Sequence, residues 1–503
     1  MFSRFSLLVL CATFACVAAL PDQVHIAITG NPGERVVSWV TAYTADTIVQ
    51  YGSSASALTQ EAKGDETTYR TSTTLLARTL HLHDVLLSGL QLNSRYYYRV
   101  GDSVSGWSEV FYFDTKIDVP NTPVDIIIYG DMGVSNSNQT RDLLVDEIQA
   151  GFSSLIIHTG DFAYNMQDAD GVVGDTFMNL IQPIAARVPY MVCVGNHEND
   201  GRNFSQYQAR FNGISRYTAT TKTNLYYSFN VNYVHFVAFS TEMYYNTNQT
   251  IAEQYAWLEA DLAQAVANRD KQPWIVLFGH RPIYCSNVDD MPDCSSDART
   301  LREGPYSIDN LLAKYNVDIF YSAHEHSYEL TWPVSKGQWQ EFPNPNVYVN
   351  PIYTVNIIAG AAGCPEDLSY FDSVFYGPWS NYRSASYGYG HFMAHNATHL
   401  HWTQNIAEGA EGTNDLWIIK GNATEVAEHA HNFGFPPSPA PVDECDEYCF
   451  ATCSSVAHRQ GKSVEETHTS CGASCNCDTR VSAGKGHEIG KKVRVERSRI
   501  LRH

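Results

Sequence analysis

Five apolar runs between residues 124 and 326 each give way to a small residue and then to a polar side chain able to bind a metal. The junctions are Gly130-Asp131, Gly160-Asp161, Gly195-Asn196-His197, Gly279-His280 and Ala323-His324-Glu325-His326. Helical stretches such as QTRDLLVDEIQAG and TIAEQYAWLEADLAQAVANR separate the runs. Apolar strands alternating with helices predict an α/β layered sheet. In such sheets ligands collect at the carboxyl ends of the strands. The pattern therefore sets two Asp, one Asn and several His along a single edge, and the small residues let the backbone turn and approach closely there.

The flanking segments differ. Residues 21–118 alternate short β-type runs (QVHIAITG, RVVSWVTA, TIVQYG, HLHDVLLSGL, SRYYYRV, EVFYFDT) with turn signals, which predicts an antiparallel β-sandwich of the immunoglobulin or fibronectin III type. Nothing in it gathers catalytic side chains, so it reads as a support or binding domain. The α/β region spans 122–432 and returns to β character over 353–405, where YGHFMAHNATHLHWTQ predicts a hairpin turning near Asn396. Residues 433–503 open as a linker (FPPSPAPVDE), become cysteine-dense and end basic. A length of 503 residues agrees with more than one domain.

The first 20 residues, with Arg4, an apolar run and small residues at Val17–Ala19, have the pattern of a signal peptide. No later stretch approaches the ~20 apolar residues of a spanning helix. Asn138, Asn203, Asn248, Asn396 and Asn422 open Asn-x-Ser/Thr acceptors, and removing the signal leaves ten of the 12 cysteines. The expectation is a secreted, extracellular glycoprotein with no membrane span, a vacuole or lysosome being other destinations of export. The net charge of −21 argues against nucleic acid as a partner. An anionic substrate would meet a repulsive global field, so it needs a strong local positive centre, and metal ions supply one.

Taken singly, each junction is weak: Gly-Asp after a strand is commonly a turn, and a lone strand-end His is more often structural. Together and in order they specify a chemistry. Carboxylate, amide, imidazole and phenolate suit Fe(III), Zn(II) or Mn(II) rather than Cu(I). With one shared carboxylate they would hold two ions roughly 3.5–4 Å apart. Cysteine is absent from the set, which is no thiolate zinc site.

The series Asp131-Met132-Gly133, Gly160-Asp161-Phe162-Ala163-Tyr164, Gly195-Asn196-His197-Glu198, Gly279-His280 and Ala323-His324-Glu325-His326 resembles the five-block signature of the purple acid phosphatases. The likeness runs from about residue 22 to 430. It implies a fibronectin-III-like sandwich followed by a two-sheet α/β metallophosphoesterase domain. It also implies hydrolysis of phosphate monoesters, under acidic conditions, by a metal-bound hydroxide at a binuclear centre. Position by position, Asp131, Tyr164 and His326 would bind Fe(III), Asp161 would bridge, and Asn196, His280 and His324 would hold a second divalent metal (Fe, Zn or Mn). Other metallophosphoesterases usually read Asp-x-His in the first block and lack the tyrosine. Here Gly133 and Tyr164 replace that arrangement, and a phenol of pKa ≈ 10 ionises readily only on a strongly acidic cation.

The departures are modest: Ala323 where the family often has Gly, Glu325 where plant members have a small apolar residue, and Leu277 for a usual Val. No histidine lies between His280 and His324, where many plant members carry phosphate-facing ones. That leaves His197 as the outer-sphere candidate, donating to the phosphate or the leaving oxygen; the plainer reading has it orient Glu198 or its loop. Cys285 and Cys294 are expected to form a short disulfide at the rim, and Cys193 to be a buried free thiol, with Cys364 paired to it or unpaired. His158, His235 and His391 read as structural. The six tail cysteines allow 15 pairings. The rival readings are a metal-dependent phosphodiesterase or nucleotidase of the same superfamily, and a secreted binding protein with a degenerate site. Homodimerisation through the β-sandwich stays open.

Overall fold

The computed structural model describes residues 20–421 apart from 76, 153, 246–250, 289–292, 372–376 and 408–413. The signal segment, Asn248, Asn422, the proline-rich linker, the six tail cysteines and the basic end lie outside the described residues.

The N-terminal part is a β-sandwich. One sheet orders its strands Asp22–Ala27, Arg35–Thr41, Thr79–Leu87 and Asp65–Arg70; the other is built on Ile48–Gly52 and Arg95–Asp102, with Gln60–Lys63 on one side and Phe111–Asp114 on the other. Alternating inward residues, among them Val24, Ile26, Val37, Trp39, Val85, Tyr98 and Phe113, form its core. The sandwich is tied to the α/β part by polar contacts: Tyr98 donates to the carbonyl of Ala186 at 2.7 Å, and the buried Arg210 reaches Gln23 at 2.8 Å and Asp175 at 2.9 Å.

Among the described residues, the α/β part consists of two seven-stranded sheets packed face to face. The first contains the parallel neighbours Val124–Tyr129, Leu155–His158 and Tyr190–Val192, extended by the antiparallel hairpin Gly388–Ala394 and His399–Ile406. The second contains the parallel run Val234–Ala238, Trp274–Phe278, Ile319–Ser322 and Val355–Ala359. Aromatic rings bridge the sheets: Phe236 meets Phe392 at 5.9 Å, and Tyr321 meets Trp402 at 5.0 Å. In the strand Trp274–Phe278 every residue is buried, because Trp274, Val276 and Phe278 face the partner sheet while Ile275 and Leu277 meet the helices Ile251–Ala267 and Ile308–Tyr315. A strand covered on both faces reads as a continuous apolar run. Five parallel strands from two sheets thus end on one side of the domain, and all five metal-capable junctions follow them.

Candidate metal centre

The turns that follow these strands are unusual in backbone. Asp131 (φ +60°), Asp161 (φ +55°), Tyr164 (φ +55°) and His324 (φ +71°) all lie in the left-handed region. Each such non-glycine residue costs of order 1–3 kcal/mol, and such residues concentrate at functional sites. Close approach explains the glycines. A Cβ on Gly160 would stand 2.7 Å from His280 Nδ1, and one on Gly195 would stand 2.2 Å from an Asp161 carboxylate oxygen.

The seven residues named as ligands come together in two adjoining groups. In the first, the Tyr164 hydroxyl is 2.8 Å from His326 Nε2 and 3.5 Å from Asp131 Oδ1, and His326 Nε2 is 3.6 Å from that same oxygen. In the second, His280 Nε2 is 3.1 Å from Asp161 Oδ2 and 2.9 Å from Asn196 Oδ1. Ligand atoms of Asp161, His280 and His324 lie within 4.8 Å of one another. The groups are cross-linked, since the amide of His324 donates to Asp131 Oδ2 at 3.0 Å.

The electrostatics suit a cation. Asp131 and Asp161 are fully buried. Burial opposes ionisation of Asp161, but the imidazoles, His280 first with His197 and His324 adding, more than offset it and hold the carboxyl below its ordinary range. Burial, reinforced by Asp131 and Asp161, pushes the Tyr164 phenol far above its ordinary value. The phenolate therefore forms here only on a strongly acidic cation. Two buried carboxylates, three imidazoles, an amide oxygen and a phenol fit a pair of hard-to-borderline ions.

Several supporting residues escaped the sequence reading. Glu198, fully buried, accepts three backbone N–H bonds at 2.9 Å, from Asp161, Phe162 and Gly195. It thereby locks together the loops that carry Asp161 and Asn196. Burial, with the charge of Asp161 adding, pushes its carboxyl up to about 8. The signal was an acid two residues past a candidate ligand. Asn165 Oδ1 lies 3.0 Å from His197 Nδ1, orienting a ring whose Nε2 is 3.9 Å from Asp161 and 3.6 Å from Glu366. His197 borders a cavity of about 370 Å³ together with Asp161, Asn196, His324 and His326. Its backbone N–H also donates to Asp161 Oδ1 at 2.9 Å.

Elsewhere, Cys285 and Cys294 are bonded at the rim, while Cys193 and Cys364 are free and buried. His158, His235 and His391 hold Tyr190, Asp261 and Glu147 at 2.7, 2.9 and 2.9 Å. Asn138 and Asn203 are exposed, and Asn396 sits half-buried at the hairpin turn.

Two packed sheets with paired buried carboxylates and histidines at their strand ends define a metallophosphoesterase. Residues 21–115 match the family described as "Purple acid Phosphatase, N-terminal domain", residues 124–328 "Calcineurin-like phosphoesterase", and residues 353–413 "Iron/zinc purple acid phosphatase-like protein C". The chain is similar to acid phosphatase type 7 of Homo sapiens, 38% identical over 413 residues, covering 80% of this chain and 92% of the relative. Purple acid phosphatase 18 of Arabidopsis thaliana is 29% identical over 409 residues, covering 80% and 85%. The fold is shared with purple acid phosphatase PPD1 from yellow lupin (Lupinus luteus) seeds, with a TM-score of 0.65 and 21% identity over 81% of this chain and 76% of that one. The chain belongs to the purple acid phosphatase family.

Proposed function

We propose that this acid phosphatase hydrolyses phosphate monoesters at a binuclear centre. Asp131, Tyr164 and His326 would hold Fe(III), Asn196, His280 and His324 would hold a divalent ion (Fe, Zn or Mn), and Asp161 would be the carboxylate shared between them. The observation that carries this is the pairing of two groups. A phenol beside a buried carboxylate and an imidazole adjoins a second carboxylate with an amide and two imidazoles. When bound, such ions would contribute positive charge for the phosphoryl oxygens and would lower the pKa of a water, the chemistry that phosphoester hydrolysis in acid requires.

The chain's own groups do the rest. Left-handed turns at Asp131, Asp161 and His324 aim their side chains inward, and Glu198 keeps two of the loops in register. Asn165 holds His197 so that Nε2 faces the cavity, where a protonated ring donates to the departing ester oxygen. Asp161→Ala removes the shared carboxylate and should abolish turnover, whereas His197→Ala should lose turnover and keep both metals. Hydrolysis of p-nitrophenyl phosphate and of its diester, followed from about pH 4 to 8, tests the reading. Preference for the monoester on the acid side supports it, and preference for the diester near neutrality favours the phosphodiesterase alternative.

The signal-like first 20 residues, the acceptor asparagines and the rim disulfide support export as a glycoprotein. Among the described residues no helix is long and apolar enough to cross a membrane.

A further inference from the structure

Each histidine of the cluster has one ring nitrogen held from outside. His280 Nδ1 lies 2.9 Å from the carbonyl of Thr159, and His326 Nδ1 lies 3.0 Å from the carbonyl of Asp367. A carbonyl only accepts, so these nitrogens carry the proton and each Nε2 keeps its lone pair for the cluster. Such outer partners fix the tautomer of a ligating imidazole.

His324 is held the other way round. Its Nε2 lies 3.3 Å from Asp293 Oδ2 and 2.8 Å from Nη1 of Arg281. These neighbours make opposite demands, because a carboxylate needs an N–H there and a guanidinium needs a lone pair. Arg281 has other partners: its Nε is 3.1 Å from both Glu242 oxygens, its Nη1 is 3.4 Å from Asp297, and it stacks over Tyr245 at 4.5 Å. Its charge is met without the imidazole.

We propose that Asp293 is a positioning residue that keeps the proton of His324 on Nε2, so that Nδ1 offers its lone pair to the cluster with Asp161 and His280. We further propose that the Cys285–Cys294 disulfide holds Asp293 in place. This rests on the two-metal reading above. Cys294 is the next residue after Asp293, and Cys285 is buried beyond the turn that begins at His280. The disulfide also packs against the residue after His324, with Cys294 Sγ 3.4 Å from Glu325 Oε1. Asp293 and Cys294 are thus held beside His324 and the residue that follows it. Without the carboxylate, Arg281 Nη1, 2.8 Å away, draws the lone pair of that nitrogen, which sends the proton to Nδ1.

The test uses the purified holoenzyme. Iron and divalent-metal content and the visible absorption band are followed against graded EDTA in wild type, Asp293→Ala, Asp293→Asn and Cys285→Ala/Cys294→Ala. Asp293→Ala should release its divalent ion at roughly 10–100-fold lower chelator, with iron content and band unchanged. Asp293→Asn, which still offers an accepting oxygen, should fall between and should unfold thermally with wild type. The double cysteine variant should show the same selective release. Divalent ion held by Asp293→Ala as in wild type, or iron and divalent ion lost in step, would overturn the role of Asp293. Weakening in Asp293→Ala but none in the cysteine variant would overturn the role of the disulfide. Wild type that takes up no metal would instead sink the two-metal reading on which both rest.

Discussion

The hydroxyl of Tyr164 stands 2.8 Å from Nε2 of His326, although 162 residues separate the two in sequence. Two strand ends from opposite sheets create that contact, and Asp131 closes the group at 3.5 and 3.6 Å. Tyr164→Phe should abolish a tyrosinate–iron absorption band while the protein stays folded. The ring keeps its packing on His197 at 4.5 Å, and the lost hydrogen bond costs about 1 kcal/mol. Visible spectra and thermal unfolding of the variant check this, and a band that survives would contradict the ligand assignment.

Glu198 is the buried acceptor for three backbone N–H groups. Each orphaned buried donor costs about 1–3 kcal/mol, so Glu198→Ala should destabilise by on the order of 3 kcal/mol or more and loosen both loops. Glu198→Gln keeps one accepting oxygen and should lose less. Thermal unfolding with metal analysis of the pair reads the order, and a neutral Glu198→Ala would contradict the clamp.

His391 gives the fold a pH signature away from the centre. It sits between Glu147 of the helix Asn138–Gln149, at 2.9 Å, and Asp125 of the neighbouring strand, at 3.4 Å. Burial lowers its affinity for a proton, but the two carboxylates outweigh burial and push it up to about 9. A histidine raised in the folded state adds stability that is fully present below its unfolded value of about 6.5 and is lost as pH rises through 9. His391→Gln should therefore destabilise by on the order of 1–2 kcal/mol in acid and by little above pH ~9.5. Unfolding midpoints of both proteins across that window decide it, and a gap that stays constant with pH would contradict the pairing.

The parallel strands were legible because burial on both faces leaves an unbroken apolar run such as WIVLF, and because each run stops at a small residue before a polar one. Gln60–Lys63, Asp65–Arg70 and Ser380–Ser384 were not, since none of these strands has a buried face and none alternates apolar with polar residues. The placement of Gly388–Ala394 beside Val124–Tyr129 was equally hidden, because pairing across such a separation follows from the closed two-sheet core and not from local pattern. At the centre, the strand-end positions named the residues that converge. What holds them was not visible. The contacts made by Glu198, Asn165 and Asp293 depend on which loops fold over which, and an acid in a loop carries no mark of the group it will meet.

The claim that carries the account is a centre with one iron and one divalent ion, and metal analysis of the purified wild-type chain beside Asp161→Ala tests it most directly. About one iron and about one divalent ion per wild-type chain are expected, with the pair depleted and phosphomonoesterase activity gone in the variant. Wild type that is active with zinc alone, or folded and metal-free, would contradict it.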